Sequence, residues 1–412
     1  MKAAIRHLKR NRGRTILTLL AVLIPVYFLV FMFGFSNSIV SDMFETATRV
    51  DTGHFQIRHI ERRGMGSAIP LMHDSESVLA ALDEIDGVEW RTVRLDMPAL
   101  ASVADRSQTI YIQGVVPEEI APISSIGDLV VEGTYLRNGQ NGAVIGEELA
   151  DLLNVGVGDE IALLGAHPET GLGVLKVPIV GIYRAPISAM GRTVIHATLT
   201  TARQLARSPD AATAVIVRVD DVKGPWDVGK IEAVTAQLTG SLPDGLEVLD
   251  WRELAPQVTG YMSILRPAMI IFAVIFFGLG ALVVLNTLYL SVMERTRELG
   301  LIISLGASRW RVIRMILTEA GLIAVIGAIY GALIGVALIW IVEAFGGIPL
   351  PGAALADYMK VVGMKPVLHM IISWPQMVIS AAAMAGVAIM AAWFPAYRAS
   401  KLEPVEAMRY VE

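Results

Sequence analysis

Residues 16–35 read ILTLLAVLIPVYFLVFMFGF, an uncharged run in which Pro25 and Gly34 are the only helix-breaking residues. A bilayer core of about 30 Å is crossed by roughly 20 apolar residues in a helix, so this run is predicted to span a membrane. Residues 268–288, 316–342 and 377–394 are apolar over comparable lengths, and nothing between them is. The basic start (Lys2, Arg6, Lys9, Arg10, Arg12, Arg14) would also suit a secretory signal. The apolar run is longer than an ordinary signal core and no Ala-x-Ala site follows it, so it reads as an uncleaved anchor.

Charge divides the chain as sharply as hydropathy does. Overall 54% of residues are hydrophobic and the mean hydropathy is +0.56, above what a soluble domain needs. Residues 37–262 nevertheless read as soluble sequence, with 17 Lys+Arg against 31 Asp+Glu, a net of −14; the remainder holds 17 against 8, a net of +9. An acidic domain between basic membrane flanks argues against nucleic acid as a partner. There is no cysteine, which excludes disulfides, a lipidated Cys and thiolate metal sites. Basic residues also set the orientation. Six precede the first span, Arg295, Arg297, Arg309, Arg311 and Arg314 lie between the second and third, and Arg398, Lys401 and Arg409 follow the fourth; the loop between the third and fourth has only Lys360 and Lys365. The positive-inside rule then places both termini in the cytoplasm and residues 37–262 outside it. The expected fold class is an α-helical membrane bundle of four transmembrane helices, with an α+β extracytoplasmic domain between the first and second.

Within that outer segment, residues 54–60 alternate as a half-buried strand. After Asp74 and Ser75, which suit a helix cap, Val78, Leu79, Leu82 and Ile85 recur at helical spacing, Asp86-Gly87 closes the helix, and residues 88–95 read as a strand. The order returns at the far end: residues 214–219 are strand-like, Ile231, Val234 and Leu238 share a helix face, and DGLEV at 244–248 echoes DGVEW at 86–90. Two βαβ-like units are thus expected to flank an insertion over about 100–205. The insertion reads as mostly β, with strands at 109–115, 143–146, 160–164 and 177–183 and a short helix carrying Leu149, Leu152 and Leu153 before a turn at Gly156 and Gly158.

No catalytic constellation is legible. Gly-x4-Gly-Lys-Ser/Thr, His-Glu-x-x-His and Gly-x-Ser-x-Gly are all missing, so the sequence holds no P-loop for ATP. The seven histidines are scattered, His54 and His59 fall on opposite faces of one strand, and no carboxylate clusters with them at metal-ligand spacing. The pairs Asp83/Glu84 and Glu147/Glu148 read as solvated helix faces. Arg266, Glu319 and Glu343 read as interface anchors, while Asn286 and Thr287 lie deep enough to bond a neighbouring helix. Gly327, Gly331 and Gly335 form a small-residue ridge suited to close helix packing.

Between the second and third spans, residues 294–317 read ERTRELGLIISLGASRWRVIRMIL. The pattern suits an interfacial helix, a turn at Gly306-Ala307-Ser308 and a basic helix returning to the membrane. Physics alone leaves two readings open, a docking surface for a partner or a snorkelling connector without one. ERTRELG at 294–300 followed by LGAS at 305–308 resembles the signature of the FtsX/MacB/Lol-type ABC transporter permeases, and FPAYRASKLEPVEAMR at 394–409 is similar to the C-terminal pattern of the same family. The resemblance implies that the outer segment is a MacB-like periplasmic core domain. It implies that two permease copies pair, as a homodimer or a related heterodimer, and that each docks a separate ABC ATPase subunit, which binds ATP and Mg; no cofactor is expected in this chain. Glu294, Arg297, Glu298, Leu299, Gly300, Leu305, Gly306, Ala307 and Arg309 are the ATPase-coupling residues so implied. ATP-driven closure would reach the outer domains through the helices as a mechanical stroke, with no substrate channel.

The expected organisation is a basic N-terminus and first span (1–36), a periplasmic domain (37–262) with a porter-like part at about 37–100 and 206–262 and the inserted part at 100–205, a second span (263–293), a coupling segment (294–315), a third span (316–345), a periplasmic loop (346–375), a fourth span (376–397) and a cytoplasmic tail (398–412). The outer segment of about 225 residues resembles in size and order the lipoprotein-release and macrolide-efflux members, and is much larger than in the cell-division members. TGHFQI at 52–57 resembles the lipoprotein-release branch; GEELA at 146–150 with Gly158-Asp159 is shared by several. The sequence departs from the macrolide-efflux branch, whose members carry an N-terminal ATPase domain. The leading expectation is a lipoprotein-release permease of the bacterial inner membrane, LolC/LolE-like, with a periplasmic lipoprotein carrier or adaptor as a further partner. Phe28, Phe31, Phe35, Met262, Ile264 and Leu265 would then line an acyl-chain site, or simply face membrane lipid. The alternatives are efflux of small molecules or peptides with an adaptor, and transmembrane signalling to an extracytoplasmic enzyme.

Overall fold

A computed structural model describes residues 12–60, 69–167, 169–238, 242–349 and 367–401. Lys2, Arg6, Lys9, Arg10, Lys360, Lys365 and the tail from residue 402, Arg409 included, fall outside them. The chain forms two compact units, an α+β one that includes Ile39–Tyr261 and a helical one that ends at Ser38 and resumes at Met262. Helix α1 (Arg12–Ala47) belongs to both. Its 36 residues make about 54 Å at 1.5 Å per residue, well beyond a hydrocarbon core of about 30 Å.

The α+β unit opens where α1 runs into a π-turn (Thr48–Thr52) and then Gly53, whose φ is +64°. A Cβ at Gly53 would lie 2.5 Å from Ile216 Cγ2 and 2.9 Å from the Val217 carbonyl, so both conformation and space require glycine. Strand β1 (Phe55–His59) follows, then α2 (Ser75–Asp83) and β2 (Val88–Val103). Asp74 occupies the cap position of α2, but its side chain makes no capping bond; Ser77 Oγ donates to the Asp74 carbonyl instead, at 2.7 Å. At the far end of the unit, β9 (Ala214–Val219), α5 (Val228–Leu238) and β10 (Leu246–Asp250) complete the second half. The strands pair antiparallel in the order β10-β1-β9-β2. That order with two crossover helices is a ferredoxin-like βαββαβ layer split by an insertion. The two half-units read from the sequence are therefore one sheet.

The insertion is a closed barrel. It contributes β3 (Arg106–Val115), β4 (Val130–Gly133), β5 (Ala143–Gly146), α3 (Glu147–Leu153), β6 (Glu160–His167), β7 (Gly171–Tyr183), β8 (Val194–Thr198) and α4 (Leu199–Ala206). Hydrogen bonding runs β2-β3-β8-β5-β7-β6 and returns to β2, with β4 appended to β7. Closure removes sheet edges that would otherwise invite aggregation. Leu95, Met97, Ile110, Ile112, Ile145, Ile161 and Ile195 are buried. Strand β2 serves both sheets, pairing with β9 up to Arg94 and with β3 from Arg94 onward. At that crossing Arg94 Nε and Asp96 Oδ1 are 2.8 Å apart and almost fully buried, and Thr213 Oγ1 accepts from Asp96 N at 2.7 Å.

Phe44 of α1 stacks on the His54 ring (centroids 6.0 Å) and meets Trp251 edge to face at 4.9 Å. His54 Nδ1 accepts from Val219 N at 2.9 Å, and the His54 carbonyl accepts from Trp251 N at 3.0 Å. Trp251 is 1% exposed and stands five residues before the next membrane helix, so one small cluster joins the end of α1 to the approach of α6. The motif at 52–57 is this joint: Thr52 Oγ1 donates to the Ala47 carbonyl and Gln56 Nε2 to the Thr52 carbonyl.

In the helical unit, α6 (Pro256–Glu294), α7 (Thr296–Ser304), α8 (Arg309–Ala344) and α9 (Trp374–Ser400) follow in order, and α1, α6, α8 and α9 are long and apolar enough to cross a membrane. Val22, Val26, Val30, Val284, Ala324, Ala328, Met384 and Ala388 form the bundle core. The glycine ridge of α8 lies against α1: a Cβ at Gly331 would be 2.7 Å from the Leu23 carbonyl, and one at Gly335 2.8 Å from Val30 Cβ. Gly280 of α6 meets the Ala21 carbonyl in the same way, at 2.6 Å. Thr287 differs from expectation. Its Oγ1 donates to the Val283 carbonyl one turn back in its own helix, at 2.6 Å, while Asn286 faces outward. Glu343 is likewise no simple anchor, since His369 Nδ1 lies 3.0 Å from its carboxylate and Met370 N donates to it.

Burial, with the cations of Arg218 and Arg49 nearby and against the bond from Val219, pushes His54 down to about 4 from 6.5. The neutral ring is the folded form, so its contribution is complete above pH 6.5 and is lost as pH falls toward 4. The loss is expected to reach ~3 kcal/mol. Melting of the purified chain against pH should show the decline, and His54→Asn, which keeps an acceptor without the titration, should flatten it.

Candidate functional site

Helix α7 sits after a one-residue break at Arg295, where Thr296 Oγ1 donates to the Met293 carbonyl at 2.7 Å. Its inner face is Thr296, Leu299 and Gly300; Leu299 is 3% exposed and packs with Val292, Val312, Ile313, Ile316, Ala396 and Ala399. The outer face carries Glu298, Leu301, Ile302 and Leu305 at i, i+3, i+4 and i+7, the spacing of a helical stripe. Leu305 is 79% exposed and Leu301 53%. Burying such a leucine fully is worth roughly 1.5–3 kcal/mol, so this stripe is a surface that gains by being covered. Arg297 and Arg309 are exposed beside it.

The turn is rigid. Gly306 has φ +92°, Gly306 N donates to the Ile303 carbonyl and Ala307 N to the Ile302 carbonyl, at 3.0 and 3.2 Å. These are the paired bonds of a Schellman cap. Nothing lies within 4 Å of a Cβ built at Gly306, so the conformation alone demands glycine there. Ser308 Oγ then accepts from Arg311 N at 3.3 Å and starts α8.

Two ion pairs tie this element to the bundle. The Arg14 guanidinium grips the Glu294 carboxylate with both terminal nitrogens, joining the start of α1 to the end of α6. Next in sequence, Arg295 Nη1 meets Glu319 at 3.1 Å, joining the α6–α7 break to α8. The first pair is largely exposed and weak in stability terms; the second is mostly buried, so losing one partner leaves a desolvated charge. Glu319 is thus a structural partner of Arg295 rather than an interface anchor. Sequence reasoning missed Arg14 and Glu319 in this role, and also Leu301 and Ile302, although the helical spacing from Glu298 to Leu305 carried the signal.

The residues expected to hold an acyl chain stand in different surroundings. The Phe28 ring packs on Phe276 at 4.2 Å, Phe31 and Phe35 lie against the bundle core, Met262 and Leu265 are half-buried, and Ile264 stands open. Among the described residues no group of three His, Asp or Glu could hold a metal.

Four helices long and apolar enough to cross a membrane, with a ferredoxin-like domain carrying an inserted barrel, define a membrane protein with one large folded domain outside its spans. Residues 15–238 match the MacB-like periplasmic core domain and residues 270–404 the FtsX-like permease C-terminal family. The chain belongs to the ABC transporter permeases of the FtsX/MacB/LolC kind. It is 24% identical over 354 residues to the lipoprotein-releasing system transmembrane protein LolC of Xylella fastidiosa, covering 82% of each chain. It is 25% identical over 358 residues to the macrolide export ATP-binding/permease protein MacB of Marinobacter nauticus, covering 84% of this chain and 54% of that one. The crystal structure of the periplasmic region of MacB from Actinobacillus actinomycetemcomitans aligns with a TM-score of 0.35 at 10% identity, over 52% of this chain and 95% of that one.

Arg295→Glu or Glu319→Arg alone should cost ~2 kcal/mol, seen as a lower melting temperature of the purified protein. The double reversal should recover most of it; a double variant no better than the singles would show that the pair does not interact.

Proposed function

We propose that this chain is the membrane subunit through which a separate ATPase, docked on the α7 stripe, drives the outer domain to release lipoproteins from the inner membrane. One observation carries the reading: the docking stripe is tied by Arg14–Glu294 and Arg295–Glu319 to α1, α6 and α8, and α1 and α6 run without a break toward the α+β unit. A push on α7 is passed along both helices. ATP and Mg belong to the ATPase, and this chain supplies leverage rather than chemistry. Both termini and α7 lie in the cytoplasm, a reading supported by the positive-inside bias of the basic residues, the outer domain lies in the periplasm, and a second permease copy completes the assembly.

Lipoprotein release is favoured by the LolC relative, with which this chain overlaps over 82% of each. Co-purification of the complete complex should bring down a lipid-anchored protein, and depletion should leave lipoproteins in the inner membrane. An adaptor and a small-molecule cargo instead would favour efflux.

Leu301→Glu and Leu305→Glu should each lower permease-stimulated ATP hydrolysis at least ~tenfold, the loss of about 1.4 kcal/mol or more of docking energy. Trypsin resistance of the outer domain should stay unchanged. Full stimulation in both variants would place the ATPase elsewhere.

A further inference from the structure

At the α7 end of the helical unit two tryptophans meet across antiparallel helices. Trp310 stands in the first turn of α8 and Trp393 near the end of α9, with ring centroids 6.0 Å apart. Both stay open, Trp310 at 60% exposure and Trp393 at 47%. Their depth follows from α9. Trp374 and Trp393 are about 28 Å apart at 1.5 Å per residue, close to a ~30 Å hydrocarbon core, so each marks one membrane–water boundary. Two cations bracket the pair. Arg314 is exposed one turn past Trp310 on the same face of α8, and no carboxylate among the described residues pairs with it. Lys401 caps α9, and its Nζ lies 4.6 Å from the centre of the Tyr397 ring, one turn beyond Trp393. Side chains lean toward the N-terminus of their own helix. Since α8 and α9 run antiparallel, with Ile389 beside Gly321 as Trp393 is beside Trp310, Arg314 leans out of the hydrocarbon and Lys401 leans back toward it. The two charges converge on the headgroup level, next to two exposed indoles.

Charge and placement decide the occupant. Helix α7 packs on the other side of the same two helices, Leu299 against Val312, Ile313, Ile316, Ala396 and Ala399, so a partner seated on α7 stands away from this face. A second copy related by a two-fold axis along the membrane normal would bring the same cations together, which repel. Cations at the edge of the hydrocarbon need a counter-charge at that depth. A phosphodiester supplies it, and an indole N–H at the boundary donates to phosphate or glycerol oxygens. We propose that this face binds the headgroup of an anionic phospholipid in the leaflet on the α7 side, with Arg314 and Lys401 on the phosphate and Trp310 and Trp393 as the shelf beneath it. Net charge is what two cations select. Phosphatidylglycerol carries it, whereas the choline of phosphatidylcholine cancels its own phosphate. The site rests on α8 and α9 crossing a membrane, and on neither the cargo nor the ATPase.

The test is native mass spectrometry of the full chain in detergent, titrated with phosphatidylglycerol or with phosphatidylcholine. The first phosphatidylglycerol is expected to bind about tenfold more tightly than the first phosphatidylcholine, a difference of ~1.4 kcal/mol. Arg314→Gln should bring the ratio to about twofold or less. Lys401→Gln on the facing helix should act in the same direction, and serves where the first variant does not fold. Arg309→Gln removes the same charge one residue from Trp310, on the face of α8 shared with Val312, Ile313 and Ile316, and should leave the ratio unchanged. Equal affinity for the two lipids in the unaltered chain would overturn the proposal, as would a ratio lowered as much by Arg309→Gln as by Arg314→Gln. Inorganic phosphate that binds in place of the lipid would assign the cations to a soluble anion and reject the site. A full preference kept in Arg314→Gln, together with weakened stimulation of the ATPase, would hand this face to the protein partner instead.

Discussion

Helix α1 is held at two places far apart along its length, once against the end of α6 and once against Trp251 in the segment that leads into α6. At one end the Arg14 guanidinium holds Glu294; at the other, Phe44 and Trp251 meet edge to face over the His54 turn. Between these points α1 is continuous, while a break at Ala255 separates Trp251 from α6. The cost is concentrated in a few demanding positions: glycine at Gly53, where backbone approaches from β9, and glycine at Gly331 and Gly280, where α8 and α6 press on α1.

The two pins are chemically unlike, and that suits their settings. The aromatic joint is buried and works by shape and hydrogen bonding, with a histidine kept neutral by its surroundings. The ionic joint is exposed to solvent and is backed by the more buried Arg295–Glu319 pair one residue on. Exposed pairs contribute little to stability, yet bidentate geometry fixes orientation.

Much of this was legible in the sequence. The four spans follow from uninterrupted apolar length, and the helix periods at 78–85 and 231–238 and the strand at 214–219 stand where the pattern put them. The Glu294–Gly300 and Leu305–Ser308 motifs marked a short helix and the turn that closes it, and these stand as α7 and its Gly306 cap. What stayed hidden was long-range. Nothing local in Arg14 or Glu319 shows that one meets a residue 280 positions away and the other sits across a helix break. Barrel closure is of the same kind, because β2 must bend between two sheets before β6 can return to it. The phenylalanines of α1 are ambiguous in sequence because an aromatic stripe looks alike whether it meets lipid, substrate or a neighbouring helix.

The most direct test of the account is an intramolecular spin-label distance between Ser304→Cys at the end of α7 and Asp105→Cys at the tip of the β2–β3 hairpin, with the partner ATPase bound and with and without ATP. Helical transmission predicts that ATP shifts the distance distribution, and that the shift disappears with Leu305→Glu. A distribution unmoved by ATP while hydrolysis proceeds would contradict it.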